Sequence, residues 1–134
     1  MSCDRVLADF AGKWRLSRRI LPDHGPEAEF EGTAEWVWSD DRLLYRENGL
    51  LKLQGLTPMQ AERRYVWGAD LSVFFDDGRF FHQIPRDGGE ALHWCDPDTY
   101  VVRYDFDPWP MFQVHWDVRG PKKAYKMQST YVRG

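Results

Sequence analysis

Past Gly12 the apolar and polar residues of this chain keep changing places. In the segment 28–38, Phe30, Gly32, Ala34, Trp36 and Trp38 fall on one side, and Glu29, Glu31, Thr33 and Glu35 on the other. Successive strand residues point to opposite faces, so the acidic row belongs in water and Phe30 to Trp38 mark an interior. The stretch 13–21 repeats the pattern, with Trp14, Leu16, Arg18 and Ile20 together. Further strands are expected over 43–53, 61–68, 71–76, 79–84, 90–96, 99–106, 111–119 and 124–133. Short turn signals separate most of them, among them Asp40-Asp41, Asp77-Gly78, Asp96-Pro97-Asp98 and Gly120-Pro121. Before Gly12, Val6, Leu7 and Phe10 have helical spacing, which predicts one short helix over 3–11 with a glycine stop.

About ten antiparallel strands after one short helix point to an all-β fold, a closed up-and-down barrel, since closure removes exposed edges. A two-layer sandwich is the structural competitor. A single domain over 1–134 is expected, because the length supports one core and not two. A barrel of this size is filled by side chains or leaves room for one small ligand.

Reading Asp77-Gly78 as a two-residue hairpin connection sets Val73 opposite His82 and Phe75 opposite Phe80. Leu71, Val73, Phe75, Phe80, His82 and Ile84 then face inward, and Phe74, Phe81 and Gln83 outward. With Pro97-Asp98 as the next turn centre, His93, Cys95, Tyr100, Val102, Tyr104 and Phe106 share the inner face. A one-residue bulge would invert this second assignment. The same alternation places Phe112, Val114, Trp116 and Val118 inside, followed by Tyr125, Met127, Ser129 and Tyr131 on the last strand.

Composition adds to this picture mainly through its aromatics. Seven Trp, six Tyr and eight Phe need a wide interior or a wide contact surface. A net charge of −3 and a pI near 5.8 offer no basic field for nucleic acid. Basic pairs such as Arg63-Arg64 and Lys122-Lys123 read as solvated decoration. No apolar run reaches the roughly 18–20 residues of a membrane helix, and the start MSCDRVLADF is not a secretory signal. Cys3 and Cys95 read as two reduced thiols, so the expected location is cytoplasmic and the expected partners include neither nucleic acid nor membrane. Phe74, Phe81 and Trp94 on the outside, with Trp109 in a loop, form a candidate homodimer patch.

Several stretches resemble a bacterial domain family of unknown function with a calycin-like β-barrel. They are the segments 10–16 (FAGKWRL), 45–49 (YRENG), 77–82 (DGRFFH), 93–100 (HWCDPDTY) and 120–125 (GPKKAY). Gly12-x-Trp14 after a short helix also resembles the start of lipocalins, where the tryptophan closes one barrel end. The resemblance implies a barrel and no reaction, since fold does not carry function.

The expected interior is amphipathic. Trp36 and Trp116 would supply apolar wall, while His82, His93, Tyr45, Tyr104 and Tyr125 would fix a ligand's orientation. Arg18 with Tyr131 and Arg133 could clamp an anion, as fatty-acid-binding barrels use arginine and tyrosine for a carboxylate. The plainer alternative pairs Arg18 with Glu47. The leading expectation is therefore binding of a small amphipathic or anionic molecule, with no cofactor. A haem barrel held by His82 or His93 and a small isomerase, cyclase or hydrolase with an inward histidine base are the alternatives. A zinc site from His82, His93 and Cys95 lacks any recognised spacing.

Overall fold

A computed structural model describes residues 4–134. A 3-10 turn, Leu7–Phe10, precedes ten strands: β1 Gly12–Pro22, β2 Ala28–Ser39, β3 Arg42–Leu53, β4 Met59–Trp67, β5 Ser72–Phe75, β6 Phe80–Gln83, β7 Gly89–Cys95, β8 Asp98–Asp105, β9 Phe112–Arg119 and β10 Ala124–Arg133. All ten lie in one antiparallel sheet ordered β6-β5-β4-β3-β2-β1-β10-β9-β8-β7. The first and last strands pair, Trp14 opposite Arg133 and Pro22 opposite Tyr125. The sheet curls until β6 and β7 approach one another, giving a nearly closed barrel in which no ladder joins these two edges among the described residues. Among those residues no helix is long and apolar enough to cross a membrane.

Tight curling needs a place where strands come close. Gly32 of β2 sits opposite Gly49 of β3. A Cβ at Gly32 would lie 2.0 Å from the Asn48 carbonyl oxygen, and one at Gly49 would lie 2.3 Å from that of Glu31. Side chains cannot enter that gap, so the pair of glycines is a backbone requirement.

Several expectations change at element ends. The helix over 3–11 shortens to the 3-10 turn, and its Cys3 end lies outside the described residues. Asp9 accepts the Val6 N–H at 2.9 Å, and Gly12, at φ 114°, sends the chain straight into β1. Val6 is consequently exposed and only Leu7 and Phe10 are buried. Trp38, expected inside, is 49% exposed because it lies past Trp36 at the strand's end, next to the Asp40 turn.

The β5–β6 hairpin departs most. Its loop has three residues, Asp76-Asp77-Gly78: the Phe75 N–H donates to Arg79 O at 2.8 Å, and Gly78 takes φ 93°. Three-residue loops that end on such a glycine are a common hairpin type. Phe74 therefore pairs with Phe80, not Phe81, and a bulge then restores Val73 opposite His82. Phe81 is the extra residue and turns inward beside His82, each 2% exposed, while Phe80 is 52% exposed. The expected inner and outer places of Phe80 and Phe81 are thus exchanged, and the proposed outer patch loses Phe81.

The β7–β8 turn is centred on Asp96-Pro97, so Cys95 meets Asp98 and His93 meets Tyr100. This moves the register by two residues, which preserves both faces. Ala91, Val102, Tyr104 and Phe106 are buried, but Cys95, expected inside, is exposed at the hairpin end.

One barrel end is sealed. Phe10 packs against Trp36, Trp67, Phe106 and Trp109 at ring separations of 5.0–6.0 Å. Trp14 donates its indole N–H to Phe10 O at 2.9 Å. Trp109 stacks on Phe112 instead of standing exposed between its two prolines. Arg133 lies over the Trp14 ring at 4.1 Å and donates to the Asp9 and Ala11 carbonyls, both at 2.6 Å. The opposite end, framed by the β1–β2, β3–β4 and β9–β10 hairpins, carries no comparable plug among the described residues.

Candidate functional site

Inward positions of β1, β3 and β10 meet at mid-barrel and hold a buried polar chain. Arg18 grips both oxygens of Glu47, at 2.6 and 3.0 Å, and its Nε donates to Ser129 Oγ at 2.7 Å. Tyr45 donates to Glu47 Oε1 at 2.6 Å, leaving its oxygen to accept from Tyr131 at 2.9 Å. Burial opposes charge on both ionic partners, yet each prevails for the other. Glu47 sits below its ordinary 4.5 through the bonds and charge of Arg18, the Tyr45 bond and the charge of Arg63. Arg18 is raised in turn by Glu47. Burial, with repulsion from Tyr131 and Glu47, raises Tyr45 well above 10, and burial pushes Tyr131 up to about 12. Both phenols are therefore neutral donors.

A second group closes the seam between the sheet edges. His82 of β6 shares a hydrogen bond of 2.9 Å with Tyr104 OH of β8. Phe81 packs edge-on against His93, Tyr100 and Trp116. Side chains thus do at the seam what backbone bonds do elsewhere. Two buried nitrogens here have no hydrogen-bond partner, Trp36 Nε1 and His82 Nδ1. Orphaned buried polar atoms in a native core call for a reason.

Burial, with a smaller push from His93, lowers His82 from 6.5 to about 3. It is neutral at ordinary pH. Below pH 6.5 the unfolded chain takes up a proton there that the folded chain refuses. Stability is therefore complete above 6.5 and falls toward pH 3, by about 1.4 kcal/mol per pH unit from this residue alone. His82→Phe is expected to flatten the stability profile between about pH 4 and pH 6 by that slope. Denaturant unfolding at stepped pH checks it; equal slopes in both proteins would contradict it.

Arg18, Trp36, Tyr45, Glu47, His82, Tyr104, Trp116 and Tyr131 all border one inner chamber. Of the remaining expected residues, His93 stands half-buried at the seam and Tyr125 lines an outer cavity. Arg133 lies at the sealed end, so the Arg18–Tyr131–Arg133 clamp does not assemble. The chamber holds about 30 Å³, space for about two water molecules. The outer cavity, at the open end, is about 560 Å³ and is bordered by Ile20, Pro22, His24, Lys122, Lys123, Tyr125 and Met127. Arg63 of β4 borders both.

Arg63 is the functional candidate that the sequence reading overlooked. Its neighbours Arg64 and Glu62 point outward and bond each other at 2.6 Å. Alternation through Ala61, Arg63, Tyr65 and Trp67 carried the signal, hidden by the look of a surface Arg-Arg pair. Among the described residues no cluster of three or more His, Cys, Asp or Glu could hold a metal.

These features define an open-ended, calycin-like ten-stranded barrel with a polar chamber. The chain belongs to a family of unknown function, DUF6314, matched over residues 10–133. A solved structure of similar fold is the S-type phycobiliprotein lyase CPES from Guillardia theta. It shares 10% identity, with a TM-score of 0.65 over 96% of this chain and 90% of that one. A search of curated proteins finds no match.

Proposed function

We propose that this barrel binds one small amphipathic molecule, taken up through its open end. The observation that carries the reading is the outer cavity of about 560 Å³, which shares Arg63 with the lining of the polar chamber. Small-molecule sites commonly measure about 300–1,000 Å³ with a few convergent polar groups on an apolar wall. Here Ile20, Pro22 and Met127 are the wall. The inner groups favour holding over reacting. Glu47 already has both oxygens engaged by Arg18 and Tyr45, and His82 is too weak a base near neutrality. The likeness to a lyase at 10% identity supports the fold and lends no substrate.

Ala124→Trp would put an indole at the edge of the outer cavity. The expected result is that the purified protein binds the fluorescent probe phenylnaphthylamine, saturating at one dye per chain, and that the variant binds it about tenfold more weakly. Undiminished binding by a folded Ala124→Trp variant would sink the proposal.

A further inference from the structure

Charge along the barrel axis is unevenly neutralised. At mid-barrel the guanidinium of Arg18 and the carboxylate of Glu47 cancel, and the surrounding tyrosines are neutral. A ligand anion reaching that level would have to displace Glu47 from a bidentate pair, which low dielectric makes costly. Nearer the open end the balance changes. Arg63 is half-buried, with its guanidinium 5.7 Å from the Trp116 ring centre. Arg63 stands opposite Glu47 in the β3–β4 ladder and its charge acts on that carboxylate, but Glu47 is gripped by Arg18. Two guanidiniums thus share one carboxylate, and no carboxylate lies within ion-pair distance of Arg63 among the described residues, whereas Arg46 and Arg64 both reach Glu62. Lys122 and Lys123 add two cations to the same cavity, of which Lys123 lies 3.5 Å from Asp98.

Resting on the binding reading above, we infer that the ligand is an anionic amphiphile whose carboxylate, sulfonate or phosphate group docks on Arg63, the residue that borders both cavities. Lys122 and Lys123 reinforce the field there. The apolar body lies along Ile20, Pro22, Tyr125 and Met127. A half-buried guanidinium with no carboxylate at ion-pair distance presents a forked set of donors that suits an oxyanion. Partial removal from water strengthens such a bond relative to one made by a surface lysine. Arg63, not Arg18, thus selects the charge of the ligand.

Two probes that differ chiefly by one anionic group test this: anilinonaphthalene sulfonate and uncharged phenylnaphthylamine. Both are titrated against the full chain as wild type, Arg63→Gln, Arg63→Lys and the double variant Lys122→Gln/Lys123→Gln. The wild type is expected to prefer the sulfonate by about tenfold or more, since a charge-assisted bond separates the two. Arg63→Gln is expected to abolish that preference, Arg63→Lys to keep part of it, and the lysine variant to reduce it by a smaller factor. The double variant is read on its own should Arg63→Gln fail to fold. One-to-one binding of both dyes with equal affinity overturns the inference and leaves the binding barrel intact, as does a preference that survives in Arg63→Gln and in the lysine variant alike. Failure of both dyes to bind removes the barrel reading, and this inference with it.

Discussion

Glu47→Ala is expected to cost the barrel about 3–5 kcal/mol, the penalty for leaving a buried charge without its partner. Arg18 would remain at mid-barrel, 7% exposed, with Ser129 as its remaining hydrogen-bond partner and the Phe30 ring 5.4 Å away. Tyr45 would lose its acceptor as well. Thermal or denaturant unfolding reads the loss, on the order of 10 °C or more in Tm for a chain of this size. The pair Arg18→Met with Glu47→Leu removes both charges, and it is expected to recover most of the loss, because paired apolar replacements of buried ion pairs are often neutral. A loss under about 1 kcal/mol for Glu47→Ala would show that water reaches Arg18 freely, against the sealed geometry.

The second large effect belongs to Gly32→Ala. The added methyl would sit 2.0 Å from Asn48 O and 2.6 Å from the Gly49 Cα, both backbone atoms that no rotamer change can move aside. Strands β2 and β3 would have to separate where Gly32 and Gly49 face each other. The expected cost is about 3 kcal/mol or more, through overpacking and lost ladder bonds. Gly55, in a loop with nothing within 4 Å of its Cβ position, is the control: its φ of 80° alone predicts a smaller penalty of about 1 kcal/mol for alanine. Equal unfolding midpoints for the two variants would contradict the close-approach argument.

Alternation carried the wall of this barrel because a period of two is a property of every residue in a strand. Trp14, Leu16 and Arg18, or Phe112, Val114 and Val118, could be placed without knowing any partner strand. Faces survived even the two-residue slip at Asp96-Pro97, since even shifts preserve parity. Odd events did not survive. One extra residue at Phe81 exchanged it with Phe80, and nothing in the string FFDDGRFFH distinguishes a two-residue loop from a three-residue loop plus bulge. That choice depends on which phenylalanine finds His93, Tyr100 and Trp116 across the seam, which is tertiary information.

The site was legible in type more than in arrangement. Alternation sets Arg18, Glu47, Tyr45 and Tyr131 inward, but whether Arg18 meets Glu47 or Arg133 depends on register between β1, β3 and β10. Arg133 shares its inward neighbours' strand yet lies past the end of the chamber, where it holds the Asp9–Ala11 carbonyls. Trp109, flanked by prolines, had every local sign of a loop tip and instead completes the aromatic plug. Distance along the barrel axis, unlike face, is not written in a two-residue period.

The seven tryptophans are placed so that one experiment can locate a ligand. Trp36, Trp67 and Trp116 border the chamber, Trp14 and Trp109 belong to the sealed end, and Trp38 and Trp94 are exposed. The most direct test of an open-ended binding barrel is therefore to follow the indole N–H resonances of isotope-labelled tryptophan while anilinonaphthalene sulfonate is added. The account predicts that Trp116, whose ring lies 5.7 Å from the Arg63 guanidinium, shifts in a saturable, one-to-one manner while Trp14, Trp38, Trp94 and Trp109 stay in place. Shifts confined to Trp38 or Trp94, with Trp116 unmoved, would place the ligand on the outside of the barrel and contradict it.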